Sequence, residues 1–217
     1  MTDLTSTWPA GARWPLETMS ASVRRAAKPT AAQAASDDRV LVRAAAEGSR
    51  EAFDEIVVRH RRAVYRLCYR FAGNHEDAAD LTQQVFLRAY RGLDAFRGES
   101  AVATWLYRIA VNASLNFLAA RRPPQQEVVA AESVPDRTPG PETALLADER
   151  AARVRRAVAS LPDRQRATII LRVYHDLPYR EIASVLGGSI GAAKANVFHA
   201  LRNLRRLMDE GPGRGPR

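Results

Sequence analysis

Residues 178–206 read PYREIASVLGGSIGAAKANVFHALRNLRR, and the fold turns on how this stretch is parsed. Ile182, Ala183, Leu186, Ile190, Ala193, Val197 and Leu204 recur at helical spacings and supply one inward apolar set. Gly187 and Gly188 break the run, and Ser189 is suited to cap the helix that follows. A short helix, a turn and a longer helix result, which is the outline of a helix-turn-helix whose second helix can enter a DNA major groove.

Upstream, PETALLADERAARVRRAVASL and, after Pro162, DRQRATIILRVYHD predict two more helices. Residues 150–217 hold 14 basic and 5 acidic side chains, a net charge of +9 that fits a polyanionic partner. Residues 39–122, at +5, are also helical in pattern: Phe53, Ile56, Val57, Val64, Leu67, Cys68 and Phe71 lie along one stripe that Gly73 can end. Asn74 then offers an N-cap, with Glu76 and Asp77 favoured by the helix dipole ahead of AADLTQQVFLRAYRGL. After a break at Arg97–Gly98, Ser100 can start AVATWLYRIAVNASLNFLAARR, and DDRVLVRAAAEG forms a shorter helix before all three.

Between the two basic blocks, residues 123–149 carry −5, and PPQQEVVAAESVPDRTPGPE contains five prolines that deny it a regular helix. The expected architecture is all-α. A disordered extension (1–36) leads to an N-terminal helical bundle (37–122), a flexible acidic linker (123–141), a C-terminal helix-turn-helix domain (142–210) and a disordered tail (211–217).

The chain has 217 residues, 33 Lys+Arg and 24 Asp+Glu. No run of about 18 apolar residues is present, and Trp8, Pro9, Trp14 and Pro15 stand where a signal peptide needs an unbroken apolar core. A cytoplasmic protein without membrane insertion is therefore expected. Cys68 lies on an apolar helical face and reads as a small buried hydrophobe. The stretch NHEDAAD lacks the second histidine of a zincin, since position 79 is Ala, and reads as a capped helix start. His60, His175 and His199 accompany no nucleophile motif, and no Gly-rich phosphate loop occurs. No metal, cofactor or catalytic constellation is expected, and the chain does not read as an enzyme.

Two basic surfaces stay open to more than one reading. Arg59, Arg62, Arg66 and Arg70 share a helical side that suits phosphate contact or plain solvation. Trp105, Tyr107, Arg108, Asn112 and Asn116 share a helix ending in Arg121 and Arg122. Aromatic faces stack on unpaired bases and Asn bonds base edges, so this helix can hold single-stranded DNA, while Trp105 taken alone reads as core.

Three stretches resemble the extracytoplasmic-function (ECF) sigma factors of the sigma-70 family, the promoter-specificity subunits of bacterial RNA polymerase. DAADLTQQVFLRAYRGL is similar to the core-polymerase-binding helix, FRGESAVATWLYRIAVNASLNFLAARR to the promoter-melting and minus-10 segment, and residues 161–206 to the minus-35 helix-turn-helix. The resemblance spans roughly residues 37–208. It implies that core polymerase is bound through Asp77, Asp80, Gln83, Gln84 and Phe86. It implies further that the minus-10 strand is held by Arg97, Ser100, Trp105, Arg108, Asn112 and Asn116, and that the minus-35 duplex is read with Ser189, Ala192, Lys194, Asn196, His199 and Arg202. The acidic linker would follow the basic nucleic-acid path of the polymerase, and an anti-sigma factor would be a further partner. In such a recognition helix Gly191, Ala192 and Ala195 allow close approach, base contacts fall on Lys194 and Asn196, and His199 and Arg202 lie nearer the backbone.

This sequence departs from the family at Gln84, usually Glu, and at Ala192 and Asn196, often Thr and Arg, so no promoter preference carries over. The alternative is a stand-alone helix-turn-helix regulator with a sensing or dimerising bundle. Such a regulator has no use for DLTQQVF and WLYRIAVN together.

Overall fold

The computed structural model describes residues 31–121 and 151–209, and every regular element among them is helical. Helices α1 (Ala31–Ala46), α2 (Arg50–Ala72), α3 (His75–Arg91) and α4 (Val102–Arg121) form the first bundle, with a 3-10 turn at Leu93–Ala95. Helices α5 (residues 151–159) and α6 (Asp163–Ile169), a π-helical turn (Ile170–Tyr174), α7 (Tyr179–Leu186) and α8 (Ile190–Asp209) form the second. The acidic linker, the tail and residues 1–30 lie outside the described residues.

Local chemistry sets the boundaries. Ser49 Oγ accepts the Ala52 N–H to start α2, and Gly73, at φ +82°, ends it in a left-handed conformation that costs glycine nothing. Asn74 Oδ1 accepts the Asp77 N–H at 2.9 Å, the N-cap that opens α3, while its Nδ2 donates to Asp77 Oδ2. Gly187, at φ +63°, closes α7, and Ser189 Oγ accepts the Ala192 N–H at 3.0 Å to open α8.

Four expectations shift. Helix α1 already includes Ala31, the first described residue, rather than starting near residue 37, because AAQAAS is dominated by the strongest helix former. Helix α4 starts at Val102, two residues past Ser100, with the Ala101 carbonyl taking its first bond from Trp105 N–H. The single helix expected over DRQRATIILRVYHD widens into the π turn and stops before Asp176, whose φ of +52° is tolerated by an Asp. Ile190 is 46% exposed rather than inward, since the turn before it is two glycines and a serine, which present almost no side chain to cover it.

In the first bundle, Ile56, Val64, Leu67, Cys68 and Phe71 of α2 are buried beside Leu81, Val85 and Ala89 of α3 and Leu106, Ala110 and Val111 of α4. Burial pushes the Cys68 thiol up to about 11, against the opposing effect of the Thr82 and Ser114 hydroxyls, so the thiolate is suppressed. Helix α1 is tied down by Asp38, nearly fully buried, which accepts from His60 Nε2 at 2.8 Å and Arg59 Nη1 at 3.1 Å.

The two bundles share one apolar cluster, in which Ile170, Leu171, Leu177 and Ile182 of the second continue the core of the first. Polar contacts tie this seam. Arg166, only 8% exposed, donates through Nη2 to the carbonyls of Phe71 (2.7 Å) and Arg70 (3.2 Å). Those are carbonyls of the last turn of α2, where a cation satisfies orphan acceptors and meets the negative end of the helix dipole. Thr104 Oγ1 donates to Glu181 Oε2 at 2.8 Å, His175 Nδ1 lies 3.2 Å from the Tyr107 hydroxyl, and the Arg70 guanidinium sits 3.9 Å over the Tyr174 ring.

Burial, then the charges of Arg66 and Arg70, hold His175 down to about 4, with Asp176 acting in the opposite sense. Tyr107 on α4, these two α2 arginines and the adjacent Asp176 are the groups that act on it. If the seam parts, the ring returns toward its ordinary 6.5 and binds more protons than in the packed form. The packed form is therefore fully favoured by this residue above about pH 6.5, and that contribution is lost as pH falls toward about 4. Small-angle scattering should show the chain expanding over this interval, and a His175→Phe variant should expand less steeply.

Candidate nucleic-acid interface

Helix α4 is buried on most of its circumference. Val102, Trp105, Leu106, Ala110 and Ala113 are buried in the first bundle, and Thr104 and Tyr107 face the second. Ahead of the exposed last turn at 119–121, what stays exposed along it is Arg108, Asn112 and Asn116, spaced four residues apart and hence on one line. Of the six residues expected at the minus-10 strand, these three stand together. Arg97 is exposed in the α3–α4 loop and Ser100 is half-buried there. Trp105 is 6% exposed and packs on Phe96, ring centroids 5.1 Å apart, so its core reading describes its position. It ties the loop to α4. Tyr107, expected on the same strip, is turned into the seam instead, where burial raises its hydroxyl pKa and keeps it protonated.

On α3, Asp80, Gln83 and Gln84 are exposed along the solvent side. Asp77 is not free: Arg121 grips both its oxygens, at 2.6 and 2.8 Å, besides the Asn74 cap. Phe86 is 8% exposed and belongs to the core. Leu87, which sequence reasoning passed over, is 51% exposed, one helical turn from Gln83 and Gln84. A signal was present, since Leu87 falls off the inward series Ala78, Leu81, Val85, Ala89.

The arginine side of α2 divides. Arg59 is engaged with Glu55 and Asp38, and Arg70 with Tyr174, while Arg62 and Arg66 are exposed. The histidines do not converge. His60 bonds Asp38, His175 faces Tyr107, and His75 Nδ1 lies 2.6 Å from the Tyr65 hydroxyl. Among the described residues there is no group of three metal-ligating side chains, and no helix is long and apolar enough to cross a membrane.

On α8, Ser189, Ala192, Lys194, His199 and Arg202 are exposed, whereas Asn196 is half-buried and lies toward the side of Ala193, Val197 and Ala200. The net positive charge of the second bundle thus reaches solvent along the helix that follows the turn.

Residues 56–123 match the Sigma-70 region 2 family model and residues 151–204 match that of Sigma-70, region 4. The ECF RNA polymerase sigma-E factor of Escherichia coli (strain K12) is 40% identical over 172 residues, covering 75% of this chain and 90% of that protein. The RNA polymerase sigma-H factor of Pseudomonas aeruginosa is 36% identical over 181 residues, covering 79% and 93%. Among solved structures, CnrH in complex with the cytosolic domain of CnrY superposes with a TM-score of 0.61 at 27% identity, over 81% of this chain and 99% of that one. The sigma factor RpoE bound to the anti-sigma factor NepR from Bartonella quintana, at 21% identity and a TM-score of 0.58, shares the fold, over 73% and 98%.

The Arg121–Asp77 pair joins the end of α4 to the start of α3, with Arg121 well exposed and Asp77 mostly covered. Arg121→Ala should lower stability by less than about 1 kcal/mol, as for other exposed ion pairs, and more at low salt than at high. Asp77→Ala keeps the backbone cap on Asn74 but also loses the Asn74 Nδ2 contact and a carboxylate in the first turn of α3, and should be worse by about 0.5 kcal/mol. Urea unfolding followed by circular dichroism checks both.

Proposed function

The chain belongs to the extracytoplasmic-function sigma factors of the sigma-70 family, and from that premise we propose how its surfaces divide the work of directing core RNA polymerase to promoters and helping to melt them. This family is not a class of enzymes. The chain works in the cytoplasm, and its own residues supply contacts rather than catalysis.

Helix α3 docks on core polymerase through Asp80, Gln83 and Gln84, with Leu87 as an apolar centre of the strip. Asp77 and Phe86 act from behind, the first by fixing the start of α3 and the second by packing it. The minus-10 strand lies along Arg108, Asn112 and Asn116, with Arg97 and Ser100 at the loop and Trp105 holding that loop to the helix. The observation that carries this reading is the exposed polar line of Arg108, Asn112 and Asn116 on a helix whose other faces are largely covered ahead of its last turn: a row of a cation and two amides suits phosphates and unpaired base edges. Melting loses a few kcal/mol of stacking per step, which contacts to the separated strand offset.

Helix α8 takes the minus-35 duplex. Ser189 and Ala192 lie at its entering end, Lys194, His199 and Arg202 flank the groove, and Asn196 supports from the side of the helix facing its neighbours. The working domains are residues 37–122, extended back to Ala31 by α1, and residues 142–210, with the acidic segment 123–141 following the basic channel of the polymerase. An anti-sigma factor is a further partner, as it is for the Bartonella quintana sigma factor. Family membership and the paired α3 and α4 surfaces leave the stand-alone regulator without a supporting observation.

Run-off transcription with purified core polymerase tests the assignment. A specific transcript that needs both core and this chain is expected, whereas DNA binding without core and no transcript with it would overturn the reading. Asn112→Ala should reduce permanganate-reactive open complexes about tenfold while changing duplex binding less than about threefold, consistent with the 1–3 kcal/mol of a base contact. Lys194→Ala and Arg202→Ala should each weaken minus-35 binding and reduce the salt slope by about one.

A further inference from the structure

His175 is the histidine of the seam between the bundles, since His60 and His75 are bonded within the first bundle and His199 stands exposed on α8. Its Nδ1 lies 3.2 Å from the Tyr107 hydroxyl of α4, and its Nε2 is buried with no hydrogen-bond partner. Arg66 and Arg70 bring positive charge to the ring from α2, and among the charges that act on it only the adjacent Asp176 has the opposite sign. Glu181 of α7 is bonded to Thr104 instead. A second proton on this imidazole would find no acceptor at Nε2 and two guanidiniums to repel it. The neutral ring fits the packed seam and the charged ring does not.

The packed form is also too small for the whole task. As their names state, the minus-10 and minus-35 elements lie about 25 base pairs apart, or about 85 Å along straight DNA, whereas a compact body of this size is about 40 Å across. While α4 stays packed on α7, helices α4 and α8 cannot reach both elements at once, and the bundles must part first. We propose that His175 is a proton sensor: acidification charges the ring, parts the bundles and so permits both promoter elements to be engaged, giving this chain an acid response of its own. This rests on the reading of α4 and α8 as the two DNA-contacting helices and adds what controls their separation. Packed, the ring takes up its proton only at about pH 4; parted, it does so at its ordinary 6.5, so acid favours the parted form. Between about pH 7.5 and 5.5 the ratio of parted to packed chains should rise about three- to tenfold, the lower figure allowing for solvent screening of a half-buried ring.

The test uses the full chain with core polymerase and a promoter fragment that this assembly selects from a randomised library at pH 7.5. With the chain below saturation, complexes that protect both elements are measured from pH 7.5 to 5.5. Energy transfer between dyes on Asp54→Cys and Ser184→Cys, exposed positions in separate bundles, reports the separation. As pH falls, the natural chain should lose energy transfer and gain complexes about three- to tenfold relative to His175→Gln, whose amide can still bond Tyr107 but carries no charge. His175→Phe should follow His175→Gln, and the comparison at each pH removes any effect of acid on the polymerase itself. Thr104→Val, which loses the bond to Glu181, should give more complexes already at pH 7.5 and keep the acid response. The same pH response in the natural chain and both His175 variants overturns the proposal, and so does separation that brings no gain in complexes. Failure to select or protect either element at any pH is a different result and overturns the assignment of α4 and α8 instead. Thermal unfolding at pH 7.5 is the folding control, and if His175→Gln does not fold, His175→Phe carries the comparison.

Discussion

Helix α4 is held between two bodies, and most of the molecule depends on that. It packs on α2 and α3 with one side and on α7 with another, so its apolar content is buried almost all round. A surface helix satisfied on a single face can roll or fray, whereas one gripped on two is fixed in rotation as well as position. The line of Arg108, Asn112 and Asn116 stays in water beside this grip, ahead of the exposed last turn, and its direction is set by Trp105 and Leu106 on one side and Thr104 and Tyr107 on the other. Polar groups positioned by packed neighbours would meet the separated strand proposed as their partner with little further ordering, which is where a flexible arrangement would lose affinity.

Charge acts locally rather than as a total. Arg59, Arg70, Arg121 and Arg166 are engaged with carboxylates, an aromatic ring or helix carbonyls, so they hold the fold together instead of meeting a partner. Arg108 on α4 and Lys194, Arg202 and Arg205 on α8 are exposed on the surfaces proposed to meet DNA. The separation follows burial. A guanidinium tucked against carbonyls at the end of a helix is worth more than one in water, and Arg166 at 8% exposure is the extreme case.

Most of the helices were legible because their signals are local. Gly73 and Asn74, the two glycines after α7, and Ser189 each act within a few residues, and the stripe from Ile56 to Phe71 repeats often enough to exceed noise. The seam was not legible. Thr104 and Glu181, Tyr107 and His175, and Arg166 and Phe71 are partners across a proline-rich segment, and each of these polar residues alone reads as surface. The candidate site was legible in part for the same reason. Asn112 and Asn116 stood out as polar residues on an apolar helix, but whether Trp105 or Tyr107 shared their face depended on which neighbours cover α4. Ile190 was misjudged because periodicity is least informative in a terminal turn.

The seam sealed by Arg166 has a quantitative consequence for any ligand that needs the two bundles apart. Such a ligand sees only the separated fraction of the population, and its apparent dissociation constant is the intrinsic one divided by that fraction. If about one chain in a hundred is separated, apparent affinity is about a hundredfold weaker than the contacts alone would give. Substitutions at Thr104, Glu181 or Arg166 would then behave like changes in a DNA- or polymerase-binding residue while touching neither partner, because they alter how many molecules are competent rather than how well each one binds.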